Sequence, residues 1–260
     1  MRAPRLPRGA AFVALLVVVL GAMFGAAAHF GGASDRPPPA APHQSAPDAR
    51  VPSAVPSLPD GTTDVALQEG LARIASTPRY EAKSTTPRIT GAATEQADLY
   101  SNEFVRRLLS RDYTKVTRDS HLAWVQAESA ATTEPLVIGL VPKSARDRFA
   151  VWSVTDATAG PAPVPSQTEW TQLASRHTVD VAEVERVQQP TVWTNAVASG
   201  RITDPGVTAR EVSAMVTRTS AAGTQRFSVA VSLNLEGPPV RTAFGVVGVI
   251  TFTSIPVGPS

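Results

Sequence analysis

The 260-residue sequence predicts an α+β protein: an N-terminal transmembrane helix, a disordered Pro-rich linker, then helices packed on an antiparallel sheet of about four strands. Three observations carry this. Ala10 to Ala28 is an uncharged, almost wholly apolar run. Eight prolines crowd Gly31 to Gly61. Beyond them the apolar residues recur first at a helical period and, from Val179 onward, at a period of two.

The nineteen residues from Ala10 to Ala28 make a helix roughly 28 Å long, close to the thickness of a bilayer's hydrocarbon core. Arg2, Arg5 and Arg8 precede the run, and the first acidic residue is Asp35. This asymmetry keeps residues 1–9 in the cytoplasm and sends everything after His29 across the membrane. Ala26-Ala27-Ala28 has the small side chains of a cleavage motif. The run nevertheless exceeds the usual apolar core of a signal peptide, which favours a retained anchor over residues 10–30. The expected location is the cell membrane, single-pass, with an extracytoplasmic C-terminal domain.

In the linker, residues 31–63, Pro37, Pro38, Pro39, Pro42, Pro47, Pro52, Pro56 and Pro59 stand among Ala and Ser. Proline removes donors and fixes φ, so this stretch reads as an extended tether. Fewer than 200 residues remain to fold, enough for one good-sized domain. There is no cysteine, which excludes disulfides, thiolate metal sites and cysteine nucleophiles. Without Arg2, Arg5 and Arg8 the exported part has 21 basic and 22 acidic residues. A near-neutral head has little long-range attraction for phosphate, so no direct nucleic-acid binding is expected.

Residues 64–92 read as a short helix and a loop. Leu67, Leu71 and Ile74 recur at i, i+4, i+7, and Ser76-Thr77-Pro78 ends the helix. The main domain is expected over 93–256. Its strongest helix has one row in Tyr100, Phe104 and Leu108 and another in Val105 and Leu109, a stripe wide enough to cover a sheet. A shorter helix is expected near Ser120, with Ser120 as N-cap and Leu122, Trp124 and Val125 as its apolar residues. Leu136–Val141 and Arg148–Thr155 read as short strands, Gly160–Pro165 as loop, and Thr168–Arg176 as a brief helix with Trp170 and Leu173.

Phe227, Val229, Val231, Leu233 and Leu235 alternate with Ser228, Ala230, Ser232 and Asn234, the clearest strand in the chain. Val212, Ala214 and Val216 alternate before it, and Thr219–Thr224 supplies the hairpin. Gly237-Pro238-Pro239 turns the chain into Phe244, Val246, Ile250 and Phe252. Val179–Val197 is expected as a further strand, bulged where alternation slips at Glu183-Val184 and interrupted by Pro190.

Residues with catalytic chemistry are sparse. His29 lies at the membrane edge and His43 in the linker. Asp119 and His121 are two apart on a helix and do not face each other, so His121 reads as a surface histidine. His177 has no patterned partner. Trp124, Trp152, Trp170 and Trp193 read as core or rim packing. Arg107, Arg111, Lys115 and Arg118 fall at i, i+4, i+8 and i+11, but the helix is expected to break near Asp112-Tyr113, which dissolves that basic stripe. No phosphate loop, HExxH, GxSxG or spaced acidic set occurs. The expectation is therefore no enzyme, with no catalytic, cofactor-binding or metal-ligating residue and no cofactor.

The layout, with EFVRRLLSRDYTKV, HLAWVQ and EWTQLAS ahead of the meander, resembles TcpC-type conjugative transposon membrane proteins over Thr94 to Ile255. These resemble in turn the single-crossing inner-membrane assembly factors of type IV secretion systems. The resemblance implies a nuclear-transport-factor-like domain, a cone-like curved sheet wrapped around helices. It also implies a membrane scaffold that contacts other channel subunits of a DNA-transfer complex, with homo-oligomers a further option. The transposon proteins commonly carry two such domains and this chain has room for one, which bears on trimeric assembly. The Ala, Val, Arg and Pro bias suggests a GC-rich actinobacterial source. Mce-associated membrane proteins of lipid import share the layout and are the alternative, followed by an exported cone-fold enzyme.

Overall fold

Alternation from Val179 onward builds one antiparallel sheet in the computed structural model, which describes residues 62–158 and 160–258. The five strands are β1 (Arg111–Asp112), β2 (Val179–Gln188), β3 (Val207–Ser220), β4 (Gly223–Glu236) and β5 (Gly245–Val257), in that spatial order. The expected anchor, residues 10–30, and all but the last two linker residues lie outside the described residues. Among the described residues no helix is long and apolar enough to cross a membrane.

The hairpin between β3 and β4 pairs Ser220 with Gly223 around Ala221-Ala222, and Gly223 takes the positive φ of +117° that the turn requires. From there Val212, Ala214 and Val216 lie opposite Val231, Val229 and Phe227. This common phase gives the sheet one apolar face. Register slips once in β2, between Val184 and Arg186, and twice in β5, opposite Ser232/Leu233 and Asn234/Leu235. Each extra residue bends its strand and strengthens the local twist. The sheet accordingly curls into a half-barrel.

Seven α-helices are present among the described residues: α1 (Thr62–Ser76), α2 (Ala97–Leu109), α3 (Arg118–Glu128), α4 (Pro135–Ile138), α5 (Arg146–Thr155), α6 (Gln167–Ser175) and α7 (Thr191–Ala198). Helix α2 is the expected cover of the sheet. Its Tyr100, Phe104, Val105 and Leu108 are fully buried against Val212, Val231, Leu233 and Leu235. Each such side chain contributes about 1.5–3 kcal/mol of transfer free energy. A smaller core gathers Ile74, Val137, Phe149, Trp193 and Ile202 around Val207, Ala209 and Val247. In the unbroken β3–β4 ladder Val207 and Ala209 have the opposite phase from Val212, so this second core sits on the other face of one sheet end.

Five expectations are corrected. Leu136–Val141 and Arg148–Thr155 are not strands; they fall in and after α4 and within α5. Pro135 sits in the first turn of α4 and the Glu134 carboxylate caps Leu136 N–H, a helix start. In α5 Phe149, Ala150, Val151, Ser153 and Val154 are all buried, and an apolar run buried nearly all round has no diagnostic period. The strand expected over Val179–Val197 ends at Gln188, and Pro190 is the N-cap of α7. Thr117, not Ser120, caps α3, its Oγ1 accepting from Ser120 N–H at 3.2 Å. Finally, the sheet has a fifth strand, the two-residue β1, too short to leave a periodic trace.

Candidate functional site

Two regions of the folded head invite a functional reading: a polar cluster inside one end of the sheet, and the half of the other sheet face that no helix covers among the described residues.

The cluster begins as a row across three strands. Arg111 on β1 lies opposite Asp180 on β2, and Asp180 lies opposite Arg218 on β3. Arg218 donates to both Asp180 oxygens, each at 2.7 Å, and the Tyr113 hydroxyl donates to Oδ2 at 2.9 Å. The Asp180 side chain is 1% exposed. Burial pushes the Tyr113 hydroxyl up to about 12. The Arg111 guanidinium lies over the rings of Tyr113 and Trp170, 5.6 and 5.9 Å from their centroids, and its Nη1 donates to the Pro163 carbonyl. The gain from cation–π stacking grows as the cation is desolvated.

Beside this row stands His121, which is 1% exposed, so the surface reading of this residue is overturned. Six consecutive residues of α3, Ser120 to Val125, are buried, and no outward face remains for it. Its ring lies tilted against those of Trp124 and Trp170, with centroids 5.7 Å away in each case, and bonds to the Leu108 backbone, while Nε2 has no partner among the described residues. That leaves Nδ1 as the donor to the Leu108 carbonyl. Burial, aided by the nearby positive charge of Arg111, holds the imidazole down at about 3. Asp119 beside it in sequence is exposed. Arg111 Nε, Trp124 Nε1 and Thr178 Oγ1 are likewise buried without a hydrogen-bond partner among the described residues.

The imidazole predicts a pH dependence. Above its ordinary value near 6.5, neither the folded nor the unfolded chain binds this proton. Below 6.5 the unfolded chain takes it up and the folded chain does not, until pH approaches 3. Stability therefore falls across that window, by up to about 1.4 kcal/mol per pH unit. Burial raises the Glu236 carboxyl, which acts in the opposite sense, so the informative quantity is the difference between wild type and His121→Asn. Asparagine keeps a donor for Leu108. Urea unfolding at a series of pH values should give a shallower acid slope in the variant; equal slopes would remove His121 as the cause.

The other buried carboxylates are tied into the fold. Glu128 accepts from Arg88 at 2.8 Å, Ile89 N–H at 3.0 Å and Tyr100 at 3.1 Å. Glu134 accepts from Thr203 N–H at 3.1 Å and Asp204 N–H at 3.0 Å. The proposed basic stripe is indeed dispersed. Arg107 pairs with Glu103, Arg111 is interior, Lys115 pairs with Asp112, and Arg118 donates to the Pro165 carbonyl. Trp124, Trp170 and Trp193 are buried and Trp152 is half-buried, as packing residues. His177 is exposed with φ of 51° just after α6, and His29 and His43 lie outside the described residues.

The open face has a different character. One row runs Val181–Thr217–Arg226–Val257 and the next Glu183–Met215–Ser228–Ile255. Val181, Val257 and Ile255 are 53%, 41% and 62% exposed. Apolar and small polar side chains thus make up most of the two rows, with the charged Glu183 and Arg226 among them, and exposed Val181, Ile255 and Val257 give the surface an apolar share suited to protein contact. Sequence alternation marks which residues point away from the helices, but not that this half of the face lacks a cover among the described residues. Compared with known proteins, the chain has no match among family models, curated proteins or solved structures.

Proposed function

We propose that this chain is a single-pass membrane scaffold component of a conjugative, type IV secretion-like DNA-transfer apparatus, acting through protein contacts outside the membrane. The observation that carries the contact reading is the uncovered sheet face with Val181, Met215, Ile255 and Val257. Buried Asp180, Glu128 and Glu134 each hold several donors of the fold itself, and such oxygens are poorly placed to take a substrate proton. The apolar run Ala10–Ala28 supports the anchor, and the layout shared with TcpC-type proteins supports conjugation.

The test is deletion of the gene in its own host, followed by mating. Transfer of the mobile element should be lost while growth is unchanged, and a full-length copy should restore it. A copy with Val181→Asp and Ile255→Asp, both on exposed positions, should be present in the membrane at normal level yet fail to restore transfer. Unchanged transfer in the deletion strain, or loss of lipid uptake in its place, would overturn the proposal.

A further inference from the structure

Half of the outer edge of the last strand is unpaired among the described residues, and its hydrogen-bonding phase can be read. In an antiparallel ladder, alternate residues direct both backbone groups toward one neighbour or away from it. On β5 the Val246 carbonyl accepts from Ala130 N–H at 2.8 Å, and Val249 N–H donates to Ser153 Oγ at 2.9 Å. Both partners lie off the sheet, so the residues in this phase face away from β4. Val246, Val249, Phe252, Ser254 and Pro256 pair with Leu235, Leu233, Val231, Val229 and Phe227, which alternate without a break along β4. The phase therefore persists to the end of the strand. Pro256 fits it, because a residue with no N–H belongs where the ladder needs no donor.

The first half of this edge is covered by Ser129-Ala130 and α5. Along the second half, no other element bonds the N–H and C=O of Phe252 and Ser254 or the carbonyl of Pro256 among the described residues. Thr251, Thr253, Ile255 and Val257 beside them are exposed. Natural edges are usually blunted by a charge, most often lysine. Gly245–Val257 carries none.

We propose that β5 pairs antiparallel with β5 of a second copy of this chain, about a twofold axis at Ser254. In that register the two Ser254 backbones exchange two hydrogen bonds. Phe252 N–H of each copy donates to the Pro256 carbonyl of the other, so the bonds missing are two, one for the donor that each Pro256 lacks. Val249, already bonded to Ser153, stays outside the paired stretch. On the open face Ile255 meets Thr253 of the second copy, and Val257 meets Thr251. A second copy suits this edge because a strand without charged side chains brings no like charges opposite each other. The chain's own linker suits it poorly, since Pro47, Pro52, Pro56 and Pro59 remove the donors that a paired strand needs. The result is one sheet continuous across two heads, and the inference does not depend on which machine the heads serve.

The experiment uses the full chain, extracted in mild detergent. Light scattering after size exclusion, corrected for detergent, should give twice the chain mass. Ile255→Lys brings two ammonium groups to diagonal positions across the axis and should halve that mass. Because the chain has no cysteine, Ser254→Cys introduces one thiol at the axis. It should form a disulfide-linked dimer on mild oxidation, whereas Ser228→Cys, one strand inward, should not. A monomeric wild type, a dimer that withstands Ile255→Lys, or a dimer in which Ser254→Cys fails to crosslink would each overturn the proposal.

Discussion

Replacing Asp180 by alanine should destabilise the folded head by about 3–5 kcal/mol, the usual result of removing one partner from a buried ion pair. The substitution leaves the Arg218 guanidinium and the Tyr113 hydroxyl without the oxygens they donate to at 2.7–2.9 Å. It also leaves Arg111, opposite on β1, beside a second arginine with no negative charge between them. Domains are commonly stable by only about 5–15 kcal/mol, so roughly a fifth or more of the total is at stake. Arg218 retains 28% side-chain exposure, and water reaching it moderates its part of the loss. The cost arises from stranded charge, so Asp180→Leu with Arg218→Met should be more stable than Asp180→Leu alone. Urea midpoints of the single and double variants make the comparison. If the double variant is the weaker of the two, the ion-pair explanation fails.

A loss of about 3–5 kcal/mol is also expected for Phe104→Ala, from transfer and cavity terms together. Phe104 is fully buried between two aromatic neighbours, stacked at 5.2 Å on Trp124 and 6.2 Å on Tyr100 by ring centroids. Trp124 comes from α3, so the ring ties the two central helices to each other as well as to the sheet. Tryptophan fluorescence should shift with the lost contact, and the urea midpoint should fall. A change under about 1 kcal/mol would mean that the core closes over the site more completely than a close-packed interior permits.

Much of this architecture was legible because burial and backbone geometry share a period. In α2 the spacing of Tyr100, Phe104 and Leu108 is the helix repeat, and in β4 the spacing of Phe227 to Leu235 is the pleat. One face of each element is wet, so the apolar residues report the geometry directly. Where both faces are dry the signal vanishes. Helix α5 reads as a strand in the sequence because Phe149, Ala150, Val151 and Val154 are buried together, and His121 reads as a surface residue although its helix has little surface. The bulge in β2 was visible as a slip in alternation near Val184, whereas the helix after Pro190 was hidden in the same β-branched composition.

The polar cluster shows the other limit. Arg111, Asp180 and Arg218 are 69 and 38 residues apart in sequence, and strand register alone makes them neighbours. No local spacing encodes that meeting.

The sequence by itself determined the long amphipathic helix and the closing meander, the cover that α2 provides, the absence of disulfides and the near-neutral charge of the head, all consequences of residue chemistry read locally. Only the tertiary structure decided that Asp180 lies between two arginines, that His121 is excluded from water, and that half of one sheet face and half of the β5 edge stay open among the described residues. These depend on which distant segments meet, and the free energy that selects such meetings belongs to the whole packed chain.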